Sequence, residues 1–217
     1  MAPGYNFTGL EDYQCIHILL KAHAKACHIY DEKFRAEQQG SVGIVIDTAW
    51  FEPASGSDED KEATERGLQL MFGWFANPVV NGNYPQVMID RMDERSAAQG
   101  YAVSRLPKFT DEEIAYIKGT HDFVALNFYT ATYAQWTEES DLSDLSVLVF
   151  PDNAWEDTDP PLFRVVPWGL RKTVNWISKT YGNPEIFITE NVYSNGGGLE
   201  DDRRINFYKV IFNMDVN

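Results

Sequence analysis

Three short apolar runs constrain the fold of this chain more than any other feature. Val42-Gly43-Ile44-Val45-Ile46, Phe123-Val124-Ala125-Leu126 and Ile186-Phe187-Ile188 are continuous, not alternating, and each gives way at once to polar residues. Uninterrupted runs of this length suit strands whose two faces are both covered, as in a parallel sheet between helices. The segments between them read as helical. Thr8-Gly9-Leu10-Glu11 has capping-box spacing, and Leu10, Tyr13, Ile16, Leu20, Ala24 and Cys27 then recur at helical intervals toward Gly40. After an acidic loop from Glu52 to Asp60, the pattern predicts a helix over Lys61 to Phe75 that stops before Asn77-Pro78.

A second capping box, Thr110-Asp111-Glu112-Glu113, opens a short helix closed at Gly119. No Lys or Arg stands between Lys118 and Arg164, where Pro151, Pro160 and Pro161 fall, so beyond Tyr129 the reading is a long solvated excursion. Pro167 suits a first helical turn, and that helix runs through Trp176 to Tyr181-Gly182. A last helix is expected near Asp201 to Phe212, after Gly196-Gly197-Gly198. Strands alternating with helices predict an α/β protein with parallel strands and right-handed crossovers. Neither an internal repeat nor a domain linker interrupts the series.

Charge narrows the partners. With 18 Lys+Arg against 33 Asp+Glu, the net charge of -15 would repel phosphate backbones and anionic lipid, which excludes nucleic acid and membrane surfaces as expected partners. The opening stretch MAPGYNFTGLEDYQ has no basic or apolar leader region, and no run approaches the roughly 18 apolar residues of a spanning helix. A soluble chain without an address is expected. Cys15 and Cys27 stand 12 positions apart in one helical segment. That puts them about 18 Å apart and out of bridging range. Asn6-Phe7-Thr8 fits an N-glycosylation sequon.

Sheets of this class build their sites where strands end, so Asp47, Asn127, Tyr129 and Glu190 are expected on one rim. A carboxylate such as Glu190 can act there as nucleophile or as acid and base, or serve only as a cap. Tyr129 can give it a hydrogen bond that orients it, or be an ordinary buried tyrosine. His17, His23, His28 and Cys27 lack further ligands at recognisable spacing, so no metal is expected. The glycine triplet is followed by acidic residues and not by Lys and Ser/Thr, which argues against a phosphate loop. Trp50, Trp74, Trp136, Trp155, Trp168 and Trp176 fit core packing better than sugar platforms, taken singly.

Longer motifs add a family resemblance. Ile188-Thr189-Glu190-Asn191, preceded by Pro167-Trp168-Gly169-Leu170-Arg171, Asn175-Trp176 and Pro184, resembles the nucleophile region of glycoside hydrolase family 1, the β-glucosidase family. Ala2-Pro3-Gly4, Gly73-Trp74-Phe75-Ala76-Asn77-Pro78, Gly82-Asn83-Tyr84-Pro85, Leu106-Pro107-Lys108-Phe109 and Asn127-Phe128-Tyr129-Thr130 are similar, in order, to segments of its animal members. The resemblance covers essentially the whole chain. It implies a partial (β/α)8 TIM barrel, strands five to seven with their helices, over residues 1–217 as one incomplete domain. It further implies retaining hydrolysis of β-glycosides in carbohydrate metabolism, with no cofactor and a small β-glycoside as substrate. Glu190 matches the nucleophile, Tyr129 the tyrosine bonded to it, and Asn127 an asparagine close to the sugar. An extracellular or secreted location follows from the same likeness.

The family's acid/base glutamate stands in an Asn-Glu-Pro motif, and this sequence has none. Glu52-Pro53 is no substitute, because Phe51 precedes it and Trp50-Phe51-Glu52-Pro53 matches a different family segment. The expectation is an isolated chain that is inactive or impaired, or alternatively a non-catalytic glycan- or protein-binding derivative. An oligomer or a partner would then cover the open barrel edge. Val192 stands where the family usually has glycine and would be strained at positive φ. Leu162-Phe163 stands where the family tends to carry a tryptophan near the leaving-group side.

Overall fold

The computed structural model describes residues 9–138, 144 and 146–212. The chain divides into two compact units, residues 1–44 with 69–123, and residues 45–68 with 124–217. Thr8 and the sequon Asn6-Phe7-Thr8 lie outside the described residues. No helix among the described residues is long and apolar enough to cross a membrane.

The first unit is built on helix α1 (Glu11–Lys33), followed by the single turn α2 (Arg35–Gln38). The first capping box falls on Thr8, outside the described residues; the helix begins after Leu10, which makes no side-chain cap, and the Gly9 N–H reaches Asp12 Oδ2 at 3.3 Å. Helices α4 (Trp74–Asn81), α5 (Gln86–Ala98) and α6 (Asp111–Ile117) complete the unit, and α1 packs on α4 and α6. Leu20, Ala24, Phe72, Val79, Met88, Met92 and Ile117 are buried in it. The second capping box forms as predicted, with Thr110 and Glu113 each receiving the other's backbone N–H.

Pro78 does not end its helix. It is the fifth residue of α4, which itself follows a π-helical turn at Gln69–Gly73. The helix therefore gives up the hydrogen bond that a residue at 78 would make to the Trp74 carbonyl and continues to Asn81. Gly82, at φ 99°, then caps α4 on the carbonyls of Asn77 and Pro78.

The second unit holds the sheet, with strands β1 (Gly43–Pro53), β2 (Phe123–Trp136), β3 (Val147–Phe150) and β4 (Ile186–Glu190), and helices α3 (Asp58–Leu68), α7 (Pro167–Thr180) and α8 (Asp202–Phe212). β2 is central, between β1 and β3, and β4 also pairs with it. Pro167 opens α7 as predicted. The strand readings need lengthening. β1 continues through Asp47 to Pro53, so Asp47 is mid-strand, and β2 continues through Tyr129 to Trp136. The excursion after Tyr129 is partly sheet: Tyr133 through Trp136 pair antiparallel with Phe150 back to Val147. That extension is held by a cluster of Phe51, Ala63, Leu68, Ala134 and Val147, with Trp50, Val149 and Trp176 against it. Asp60, buried at the start of α3, accepts the Trp136 N–H at 2.9 Å and the Ser55 hydroxyl at 2.6 Å.

The runs are also less covered than continuous hydrophobicity predicts. Val45 is 56% exposed, Phe187 48% and Ile188 42%. β2 has a packed back, with Val124, Leu126 and Phe128 buried, and Ala125 is buried on its other face. Gly169 of α7 lies against that back, where a Cβ would stand 2.9 Å from Phe128 Cζ and 3.3 Å from Ala131 Cβ. A side chain at Gly169 would force the Phe128 ring to shift. Strand alternation then turns Asn127 and Tyr129 to the face opposite Phe128.

Candidate active site

β2 and β4 run parallel with Val124 opposite Ile186, Ala125 opposite Phe187 and Leu126 opposite Ile188. The register then shifts, and Asn127 pairs with Glu190. Thr189 is the extra residue, and such an irregularity re-aims the side chains beyond it. Its hydroxyl donates to Asn127 Oδ1 at 2.6 Å, which fixes the amide and leaves Nδ2 as a donor. The Tyr129 hydroxyl donates to Glu190 Oε2. Asn127, Tyr129 and Glu190, separate in sequence, thus share one strand edge, with Glu190 exposed.

The residue after the carboxylate is held from both sides. Asn191 Nδ2 donates to the Phe128 carbonyl at 2.8 Å, and the Asn191 carbonyl accepts the Tyr208 hydroxyl of α8 at 2.6 Å. Val192 carries no strain, because it is not among the residues with positive φ. The Tyr129 ring stacks on Phe163, with centroids 5.2 Å apart and planes 11° from parallel.

Electrostatics keep the tyrosine a donor. The hydrogen bond to Glu190, then burial, then the charges of Glu190 and Asp47 push the Tyr129 phenol up to about 12. Burial, and after it the negative charge of Glu190, raise the Asp47 carboxyl above its usual range. Asp47 therefore belongs to the same electrostatic neighbourhood, although it stands within a strand and not at a strand end.

Other polar groups are spoken for. Glu52 accepts from Lys172 Nζ at 2.8 and 2.7 Å and from Trp50 Nε1 at 2.6 Å, so both its oxygens are engaged. His17 Nδ1 meets the Tyr84 hydroxyl at 3.0 Å, His23 Nε2 the Thr120 carbonyl at 2.7 Å and His28 Nε2 the Tyr116 carbonyl at 2.8 Å. Among the described residues no group of three or more His, Cys, Asp or Glu is placed to hold a metal. The tryptophans mostly pack: Trp74 against Tyr13, and Trp168 against Trp155 and under Lys172 Nζ at 4.9 Å. A cavity of about 470 Å³ bounded by Asp159, Tyr193, Asn195, Gly196, Asp201 and Arg203 contains none of the three clustered side chains. It is not the candidate site.

Sequence reasoning missed Asn191 as a clamp and Phe163 as a ring neighbour. Asn191 adjoins Glu190 and was open to notice. Phe163 stands out in the sequence only with Leu162, as a departure from the family's tryptophan, and nothing local ties its ring to Tyr129.

Comparison with known proteins fits this geometry. The family model described as Glycosyl hydrolase family 1 matches residues 1–214. The chain is 39% identical to human cytosolic beta-glucosidase, over 97% of the chain and 46% of that protein. It is 41% identical to human lactase-like protein, over 98% of the chain and 39% of that protein. The solved structure of aphid myrosinase superposes with a TM-score of 0.91 at 38% identity, over 98% of this chain and 47% of that one. The chain thus spans about half the length of the relatives it matches.

Proposed function

Because the chain belongs to glycosyl hydrolase family 1, we propose that it is part of a retaining β-glycosidase in which Glu190 is the nucleophile. The observation carrying this reading is the Tyr129 hydroxyl on Glu190 Oε2, with Asn127 in register beside it. Residues 1–217 are then one portion of a (β/α)8 barrel domain, with β1, β2 and β4 as its fifth, sixth and seventh strands.

The chemistry follows from the groups. Glu190 attacks the anomeric carbon, a bond forms from its carboxylate oxygen, and the bond to the leaving oxygen breaks with its electron pair. A second carboxyl group about 5 to 5.5 Å away protonates that oxygen in enzymes of this type, then takes a proton from the water that cleaves the glycosyl ester. Tyr129, held neutral, orients the attacking carboxylate and offers it a hydrogen bond throughout. Asn127 Nδ2 is free to bond a sugar hydroxyl. The sequence has no Asn-Glu-Pro triplet and Glu52 is engaged by Lys172 and Trp50, so this chain alone should turn over ordinary glycosides roughly 10²- to 10⁴-fold more slowly than an enzyme with its acid in place.

The test does not need an acid. A 2-deoxy-2-fluoroglucosyl fluoride carries its own good leaving group and should form a stable ester on the peptide containing Glu190, read by mass spectrometry. Glu190→Gln should give none. Labelling elsewhere, or undiminished labelling of Glu190→Gln, removes the assignment.

The exposure of Val45 at 56% and Ile188 at 42% favours a second reading. In it the same face binds glycan or protein without hydrolysis and a partner or second copy covers the strand edges. A defined oligomer in size-exclusion chromatography, with glucoside affinity by calorimetry and no labelled Glu190, would select it.

A further inference from the structure

The loop that reaches Tyr129 is built more firmly than its composition predicts. Asp157 and Arg164 form an antiparallel bridge, closed by their ion pair at 2.9 Å, and the Val165 N–H donates to the Glu156 carbonyl at 2.8 Å. Inside the turn sits Thr158, only 4% exposed. Its hydroxyl accepts the N–H groups of Leu162 at 3.2 Å and Phe163 at 3.1 Å and donates to the Pro160 carbonyl at 2.8 Å. Its own N–H donates to the Phe163 carbonyl at 3.0 Å.

Two ties anchor the turn to the strands that carry the site. On the β2 side, the Thr130 hydroxyl accepts the Arg164 N–H at 3.3 Å and donates to the Arg164 carbonyl at 3.0 Å. Beyond β4, the Ser194 carbonyl accepts the Asp159 N–H at 3.1 Å. Thr130 and Ser194 lie one residue after Tyr129 and four after Glu190. The turn is therefore tied next to both members of the pair, and the side chain it delivers is the Phe163 ring on the Tyr129 ring. A parallel pair at this separation is offset-stacked, a geometry that restrains a partner's plane.

We infer that Phe163 is a positioning residue for the Glu190–Tyr129 pair: its ring fixes the plane of the Tyr129 phenol so that the hydroxyl meets the carboxylate, and Thr158 fixes Phe163. The inference rests on the reading of Glu190 and Tyr129 as the working pair. It adds a residue that acts on the carboxylate through the Tyr129 ring. Without the stack, a half-buried tyrosine whose hydroxyl is tethered only to an exposed carboxylate would sample other rotamers.

The experiment follows the Tyr129 phenol by NMR in the full chain labelled at tyrosine Cζ, with Tyr129→Phe assigning the signal. In the unsubstituted chain the phenol should stay neutral through about pH 11, since its midpoint is near 12. Phe163→Ala should ionise with a midpoint moved toward 10, the unperturbed value. Phe163→Trp, which restores an aromatic face, should return the midpoint to that of the parent. Phe163→Leu keeps apolar bulk without a ring and should behave like Phe163→Ala; it decides the matter if the alanine variant does not fold. An unchanged midpoint in a folded Phe163→Ala or Phe163→Leu chain overturns the proposal, as does failure of Phe163→Trp to restore it. The readout is independent of turnover. Absence of a labelled Glu190 in the parent would sink the proposed function while leaving this titration to be judged separately.

Discussion

Two regions of this chain concentrate ionisable side chains, and they use them in opposite ways. On α1, His17 is 8% exposed, stacks on Phe109 with centroids 4.2 Å apart and bonds Tyr84, while His23 is bonded to the Thr120 carbonyl. Burial is the leading cause that lowers the pKa of both. On the β2–β4 edge, Glu190 is exposed, Tyr129 is half-buried, and one hydrogen bond joins them. The histidines sit inside the packing and hold helices together. The carboxylate is aimed by its surroundings and left exposed, as the proposed role of nucleophile requires.

The sharpest way to break this contrast is to exchange the readouts. Glu190→Gln is expected to reduce the rate of fluoroglucoside labelling on the order of 10³-fold or more. His17→Ala should leave the labelling rate of the folded chain within about twofold. A labelling loss as large for His17→Ala would mean the two regions do not differ as described. Stability should show the reverse. His17→Ala removes a buried ring and leaves the Tyr84 hydroxyl without its partner, so urea unfolding should report a loss of about 2 to 3 kcal/mol. Glu190→Gln, at an exposed position, should change stability by no more than about 0.5 kcal/mol.

Acid should separate the regions more gently. A histidine whose folded pKa lies below its unfolded value binds a proton more readily when unfolded. The stability tied to His17 and His23 is therefore fully present above 6.5, the unperturbed value, and is lost as pH falls through 6.5 and on through the lower folded values. Urea midpoints measured downward from neutral pH should decline across that window, and His23→Gln, which keeps a donor for the Thr120 carbonyl but cannot titrate, should flatten the decline. A parent midpoint that is constant across the window would contradict the burial assigned to these rings.

The smallest effect belongs to Asp47. Its carboxyl is raised in the folded chain, so ionising it opposes folding, and stability falls as pH rises through 3.8 toward the folded value. Asp47→Asn should stabilise the chain at neutral pH by up to about 0.5 kcal/mol and give no gain near pH 3. It should also lower the Tyr129 midpoint slightly, because Asp47 contributes to that shift. A destabilised Asp47→Asn at neutral pH would show that Asp47 does structural work of another kind.

The sequence already contained the order of the elements, because each rested on signals a few residues long. The Thr110 capping box, Pro167 at a helix start, the run ending in Glu190 and the final helix near Asp202 all appear where local chemistry placed them. The motif spacing around Asn127, Tyr129 and Glu190 was legible too, as a resemblance. Local rules failed where a distant partner intervened. β2 outran its apolar segment because β3 was available to pair with it.

By itself, then, the sequence determined that this is an α/β chain of the β-glucosidase family with a carboxylate closing a strand. Tertiary structure alone decided how that carboxylate is held. The shift at Thr189 that sets Glu190 opposite Asn127, the hydroxyl of Tyr129 from 61 positions away, and the Phe163 ring stacked on Tyr129 are products of strand pairing and loop closure. Helix caps and apolar runs act over one or two turns of chain, whereas these contacts exist only after remote segments have been brought together against the cost of closing the loops between them.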